Sequence, residues 1–158
     1  MAGVTAALRI TAEAYDGTAG AVLVPRVQQE YVTRYGGPDE TPVDPAEFAG
    51  DRGRFLIAYL GGDAVGCGGL RLLADGVAEI KRMYVEPAAR GRGIARALLA
   101  ELEGVAREAG CREIRLETGL LQPEALALYA SSGYSPIPPY GYYRCAPESR
   151  CFAKEVRP

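Results

Sequence analysis

Two periods run through the hydrophobic and polar positions of the chain. Short stretches alternate apolar and polar with period two, as a strand with one buried face does, and longer ones repeat apolar residues every three or four positions, as a helix with one buried face does. Leu8 to Ala14 alternates weakly as a first strand, and Tyr15-Asp-Gly-Thr-Ala-Gly20 has the composition of a turn. Arg54 to Leu60 predicts a strand, and Gly61-Gly62-Asp63 turns it into a second, Ala64 to Leu73. Asp75-Gly76 turns that into a third, Val77 to Val85. Further along, Arg112 to Glu117 alternates, Tyr134 begins a short strand, and Arg150 to Val156 forms a last one.

Pro25 opens a helical stretch in which Val27, Tyr31 and Tyr35 share one face, closed by Gly36-Gly37-Pro38. Asp44-Pro45-Ala-Glu-Phe48 predicts a short helix capped by its aspartate. From about Arg92 to Ala109, the residues Ile94, Leu98, Leu102, Val105 and Ala109 form a core-facing stripe. Glu103 and Arg107 are spaced to pair on its exposed side, and Gly110 ends it. Pro123 to Ser132 predicts a last helix, with Gly133 after its end. Three consecutive antiparallel strands feeding one helix make an α+β plan.

The 158 residues suit a single domain over 1–158, long enough to bury about two-thirds of its unfolded surface. A hydrophobic fraction of 48%, with 24% charged residues, is ordinary for a soluble globular protein, and a net charge of −2 gives no general attraction to nucleic acid or anionic membrane. Met1 is followed by Ala-Gly-Val-Thr with no basic leader, and no apolar run approaches the ~20 residues that span a bilayer. A cytoplasmic protein is expected. Cys67, Cys111, Cys145 and Cys151 lack metal-ligand spacing, and the chain has no histidine, so they read as free thiols with no metal. Without histidine, serine and cysteine triads that use it are excluded, and any general base is a carboxylate, tyrosine, lysine, cysteine or water.

One stretch carries candidate chemistry. Met83-Tyr-Val-Glu-Pro-Ala-Ala-Arg90-Gly-Arg-Gly-Ile-Ala-Arg96 runs from a strand end through a basic glycine loop into the helix start. The first turn of a helix has unpaired N–H groups and a partial positive charge, so it attracts anions. Arg90, Arg92 and Arg96 crowd that end, where cations alone are unfavourable by about 0.3–1 kcal/mol each, an arrangement that makes sense if a polyanion sits there. Gly91 and Gly93 would let it approach the backbone. No Gly-Lys-Ser/Thr follows, which excludes a Walker A loop. A dinucleotide fingerprint would want a small residue where Arg96 stands, and its preceding strands would not be hairpins.

Arg90-Gly-Arg-Gly93-Ile-Ala95 resembles the (Q/R)-x-x-G-x-(G/A) acyl-CoA signature of the GCN5-related N-acetyltransferase family. The strand Ala78 to Val85 is similar to that family's fourth strand, and Pro123-Glu-Ala-Leu-Ala-Leu-Tyr129-Ala-Ser-Ser-Gly133-Tyr134 to its late helix, so the likeness covers about Arg54 to Tyr134. It implies a central, mostly antiparallel, twisted and splayed sheet of six to seven strands flanked by about four helices. It also implies acetyl-CoA as acyl donor and attack by an amine. The backbone of Met83, Tyr84 and Val85 would pair with the pantetheine arm, and the amides of Arg90, Gly91, Arg92, Gly93, Ile94, Ala95 and Arg96 would cradle the pyrophosphate.

By the same resemblance Glu79 is the candidate general base, possible through a bridging water, and Tyr129 the candidate acid for the departing thiolate. Period-two alternation puts Glu79 on one face with Lys81, Met83 and Val85, and Lys81 would help hold it ionised. A strand glutamate in a salt bridge and a tyrosine packed in the core are the plainer readings of the two residues. Gln122 stands where the family often has asparagine and would contact the cofactor. The acceptor would be a small-molecule primary amine, its pocket lined by Tyr31, Tyr35, Tyr140 and Tyr142, with Tyr143 beside them and Glu30, Asp39 or Glu47 to attract it. A noncatalytic acyl-CoA-binding module of the same fold is the alternative. Neither nucleic acid nor membrane is expected as a partner, and the chain is expected as a monomer or homodimer.

Overall fold

The computed structural model describes residues 6–158, so the reading of Met1 to Thr5 lies outside the described residues. Seven strands form one sheet: β1 (Leu8–Ala12), β2 (Gly53–Leu60), β3 (Asp63–Ala74), β4 (Val77–Val85), β5 (Glu113–Gly119), β6 (Ser135–Ile137) and β7 (Ser149–Glu155), in the order β1-β2-β3-β4-β5-β7-β6. Three α-helices cover it, α1 (Thr18–Tyr35), α2 (Ile94–Glu108) and α3 (Pro123–Ser131). Every pairing is antiparallel except β4 with β5. The hairpin from β2 to β3 turns at Gly61 and Gly62, both with positive φ, which is the primed turn that matches strand twist.

The sheet is buried on both faces, which explains the unbroken apolar run in β2. Phe55 and Ile57 face α1 with Leu23, Val27 and Phe48, while Leu56 and Ala58 face α2 with Leu98, Leu99 and Leu102. Tyr129 of α3 and Tyr134 join the α2 side.

Several expectations are corrected. α1 starts at Thr18, capped by Gly17, and carries Pro25 in its interior rather than at its start. The proline removes one backbone hydrogen bond, but Ala19, Leu23 and Val27 at helical spacing bury against the sheet and outweigh it. Gly20, read as part of a turn, belongs to this helix, where a Cβ would overlap the Tyr15 carbonyl. Asp44 does cap the next segment, but Pro45–Phe48 is a 3-10 turn, as is Pro87–Ala89. The described residues therefore hold three α-helices where about four were expected. Glu103 is not on an exposed face: it is 6% exposed, with Lys154 Nζ at 3.0 Å and the Tyr134 hydroxyl at 3.2 Å, while Arg107 stands at 3.7 Å.

Two features of β4 position the site. Its pairing with β5 runs from Val77 opposite Glu113 to Ile80 opposite Leu116 and then stops, so Lys81 to Val85 and Glu117 to Gly119 diverge and leave a cleft between strands. Arg82 has φ 62°, alone among the described non-glycine residues in that region, and the register with β3 steps from Gly69 opposite Lys81 to Cys67 opposite Tyr84. This is a β-bulge, and it inverts the alternation. Glu79, Lys81, Arg82 and Tyr84 face the α1 side, whereas Met83 and Val85 pack with the α2 core. The expected common face for Glu79, Met83 and Val85 is corrected accordingly. Gly68 admits the bulge, since a Cβ there would sit 2.5 Å from Met83 Sδ.

Candidate active site

The cleft between β4 and β5 opens into two adjoining cavities. The first, about 610 Å³, runs from the splayed strands along the glycine loop to α3. Met83, Tyr84, Val85, Arg90, Gly91, Gly93, Ile94, Ala95, Arg96 and Gln122 all line it. Arg92 does not line it and is exposed.

Local sequence explains the loop. Gly91 and Gly93 have φ 79° and 78°, with open space where a Cβ would stand. Both thus hold the left-handed conformation that glycine adopts without strain, with open space beside the backbone. Gly93 is the N-cap of α2 and provides no side-chain cap. The first hydrogen bond of the helix is donated by Ala97 to the Gly93 carbonyl, which leaves the amides of Ile94, Ala95 and Arg96 as unpaired first-turn donors. An anion completes such an end.

Arg90 is held in a way the sequence did not reveal. Its Nε donates to the Val85 carbonyl at 2.9 Å, its guanidinium donates to Glu30 at 2.8 Å, and it lies 5.8 Å from the Tyr84 ring centroid. The strand edge that was expected to receive an added chain is thus covered at Val85 by an arginine tied to α1. Arg96 donates to the hydroxyls of Ser131 at 2.9 Å and Ser132 at 3.2 Å, which ties the loop to α3.

Tyr129 is 5% exposed yet lines this first cavity. Its ring packs edge-on against Tyr134 at 5.7 Å, and among the described residues its hydroxyl has no hydrogen-bond partner. Burial pushes its pKa well above the usual tyrosine range, so the phenol holds its proton.

The second cavity, about 410 Å³, lies between the end of α1, the splayed strands and the segment before β7. Tyr31 and Tyr35 line it, as does Tyr143. Gly119 makes room for Tyr35, whose hydroxyl a Cβ there would overlap. The other two aromatic candidates do not line either cavity: Tyr140 is turned toward Glu79, and Tyr142 is 52% exposed with its hydroxyl near Glu40. Of the acidic candidates, Asp39 lines the second cavity but is bound to Lys81 and Arg82. Burial opposes its ionisation, but those cations and Thr41 hold its carboxyl well below the usual range. Glu30 faces the first cavity and pairs with Arg34 and Arg90, and Glu47 pairs with Arg71.

Glu79 lines neither cavity. It is 5% exposed, with Oε1 accepting from Arg71 at 2.9–3.0 Å and Oε2 from the Tyr140 hydroxyl at 2.7 Å. Arg71 also reaches Glu47 and the Pro42 carbonyl, so Glu79 anchors a buried network that ties β3 and β4 to the 3-10 turn and the loop before β7.

The carboxylate that stands where the two cavities meet is Glu117, at the divergent end of β5. It lines both cavities, together with Tyr31, Arg82, Thr118 and Gln122, and these five side chains mark where the cavities meet. Burial pushes its carboxyl up to about 7, against a lowering influence from Lys81 and with further raising from Asp39 and Glu79. Sequence reasoning missed it among the alternating charges of its strand. Its place at the carboxyl end of a strand that parts from a parallel neighbour, where such sheets bind ligands, was the available signal.

The sequence profile of the acetyltransferase (GNAT) family matches residues 24–134. An IAA acetyltransferase from Azospirillum brasilense is 43% identical over 104 residues, which are 65% of this chain and 68% of that one. The crystal structure of a Klebsiella pneumoniae protein assigned as an acyl-CoA N-acyltransferase is 32% identical, with a TM-score of 0.79 over 94% of this chain and 97% of its own. A GNAT family acetyltransferase from Elizabethkingia anophelis, solved with acetyl-CoA bound, shares the fold at 17% identity and a TM-score of 0.67, over 94% of this chain and 98% of that one.

Proposed function

Because the chain belongs to the GNAT acetyltransferase family, we propose that it transfers an acetyl group from acetyl-CoA to a primary amine of a small molecule, by direct attack at the junction of the two cavities. The observation that carries this reading is Glu117 at that junction, with a carboxyl pushed up to about 7. General bases work best with a pKa near the operating pH.

The residues present fit the donor. The unpaired amides of the first turn of α2 would hold its pyrophosphate, and the divergent backbone of β4 would pair with its pantetheine arm. Gln122 uses its carbonyl oxygen to accept from Tyr35 at 3.2 Å and Thr118 at 3.4 Å, so its amide N–H groups remain to donate. Acetyl-CoA, when bound, supplies an acetyl thioester. Glu117 takes a proton from the ammonium of the acceptor, directly or through one water, and the freed amine nitrogen bonds to the acyl carbon as the carbon–sulfur bond breaks. Tyr129 then gives its proton to the sulfur. The nitrogen's second proton leaves to solvent, from which the Tyr129 phenol is later restored. Cys151 Sγ donates to Glu117 Oε2 at 3.8 Å, but burial pushes its thiol pKa up, which supports direct attack over transfer through an enzyme thiolate. Glu79, bound by Arg71 and Tyr140, acts in this reading as a positioning residue that fixes β4.

Thiol release from acetyl-CoA across a panel of amines, with mass spectrometry of the N-acetylated product, tests the reading. Turnover with at least one amine is the expected result. Acetyl-CoA binding with no turnover for any amine would instead leave the noncatalytic acyl-CoA-binding module.

Two variants examine the parts. Tyr129→Phe keeps the ring and loses the proton donor, so kcat is expected to fall by about 10–100-fold, below the 10²–10⁴ range of full acid–base contributions because water can protonate a thiolate. The acetyl-CoA KM should stay close to the parent value. Gly93→Ala forces a Cβ into the left-handed region at a cost of about 1–2 kcal/mol. Calorimetry is expected to show acetyl-CoA affinity reduced about tenfold, with the amine KM nearly unchanged.

A further inference from the structure

The floor of the second cavity holds two buried cations that bind one and the same carboxylate. Lys81 and Arg82 are 8% and 4% exposed, and both line the cavity. They share a single carboxylate, Asp39, with Lys81 Nζ at 3.0 Å from Oδ2 and the Arg82 guanidinium bound to the same oxygen. Arg82 Nε is buried with no hydrogen-bond partner among the described residues. Once Glu117 carries a proton, these two buried cations have one ionised carboxylate between them, and buried charges ordinarily find partners. Glu79 cannot supply the second carboxylate, since Arg71 and Tyr140 occupy it. Glu117 is close enough to feel Lys81, but burial raises its carboxyl, and it gives up its charge when it takes the acceptor's proton. The other acids of this cavity, Glu40 and Glu148, are exposed.

The missing partner is therefore an anion from outside, beside a base that needs an amine. Resting on the acetyl-transfer reading of the same site, we propose that the acceptor is a free α-amino acid, its ammonium at Glu117 and its carboxylate on Lys81 and Arg82. An α-amino acid carries the two charges on one carbon, which suits a carboxylate and a cation pair that line the same cavity. The far end of the acceptor then extends past Tyr35 and Tyr143 toward Glu40 and Glu148, so a neutral or cationic side chain is favoured over an acidic one. A polyamine has nothing to place on the two cations.

Matched pairs test this directly: L-leucine against 3-methylbutylamine, L-tyrosine against tyramine, and L-arginine against agmatine, each with acetyl-CoA. At least one amino acid is expected to exceed its decarboxylated partner in kcat/KM by about tenfold or more, the worth of a charge-assisted hydrogen bond. In Lys81→Met and Arg82→Met that preference should shrink toward parity. Calorimetric binding of the same pairs to the protein–CoA complex gives a readout independent of turnover. If amino acids bind that complex better than the amines but are not acetylated, the pocket assignment stands and the catalytic reading falls. If the amines are turned over as well as or better than the amino acids, or if no amino acid binds, or if the preference survives both substitutions, the proposal is overturned, while acetyl transfer to amines elsewhere in the panel would leave the catalytic reading intact.

Discussion

Glu117→Gln is expected to lower kcat/KM for acetyl transfer by about 10²–10⁴-fold, the usual contribution of a positioned base, with little change in acetyl-CoA affinity. Glutamine keeps the shape of the side chain at the junction and removes only its capacity to accept a proton. The parent protein should gain activity as pH rises through about 7, where the Glu117 carboxyl ionises, and the variant should lose that inflection. Stability should move the other way. The folded-state pKa is raised above the ordinary carboxylate value of 4.5, so the contribution of the protonated form is full below 4.5 and is lost as pH climbs through about 7. Glutamine stays neutral throughout. Thermal unfolding should therefore show the variant level with the parent in acid and more stable than it above neutrality. A variant that is less active and more stable at pH 8 is the signature of a base held in a desolvated site.

Arg71→Met is expected to destabilise the fold by about 3–5 kcal/mol, the cost of removing one partner from a buried ion pair. Glu79 would keep only the Tyr140 hydroxyl at 2.7 Å, and Glu47 would lose its ion pair. Arg71→Lys, which restores a charge but not the fork that spans Glu79, Glu47 and the Pro42 carbonyl, should recover part of the loss. Urea unfolding measures both. The same network separates two roles for Glu79. As a positioning residue, Glu79→Gln loses stability and keeps most of its kcat at temperatures where it is folded. As the base, it would lose kcat at unchanged stability.

Much of this architecture could be read from local pattern, because the strands and helices that matter are defined by alternation, capping and turn chemistry. The loop from Arg90 to Arg96 is a clear case: two glycines at positive φ, followed by a helix without a side-chain cap, leave their mark in sequence. Seven strands in an open, mostly antiparallel sheet match the expected plan. What stayed hidden depends on tertiary structure. Nothing in Lys81-Arg82-Met83 announces a bulge, since the extra residue is defined only by its register against Gly68, and missing it put Glu79 on the wrong face relative to Met83. Glu117 alternates like Glu113 and Arg115, and only the parting of β5 from β4 turns it into a cavity wall. Pro25 looked like a helix start because proline favours that position, yet burial of Ala19 and Leu23 carried the helix back to Thr18.

The arrangement of groove, base and acid is tested most directly by a crystal structure of the protein with coenzyme A. The expected structure has the pyrophosphate on the amides of Ile94 to Arg96 and the pantetheine arm paired along Met83 to Val85. Arg90 should be released from the Val85 carbonyl, and the sulfur should lie within hydrogen-bond reach of the Tyr129 hydroxyl, beside the cavity junction at Glu117. Coenzyme A bound away from the cleft, or a sulfur out of reach of Tyr129 with Arg90 still on Val85, would contradict the account.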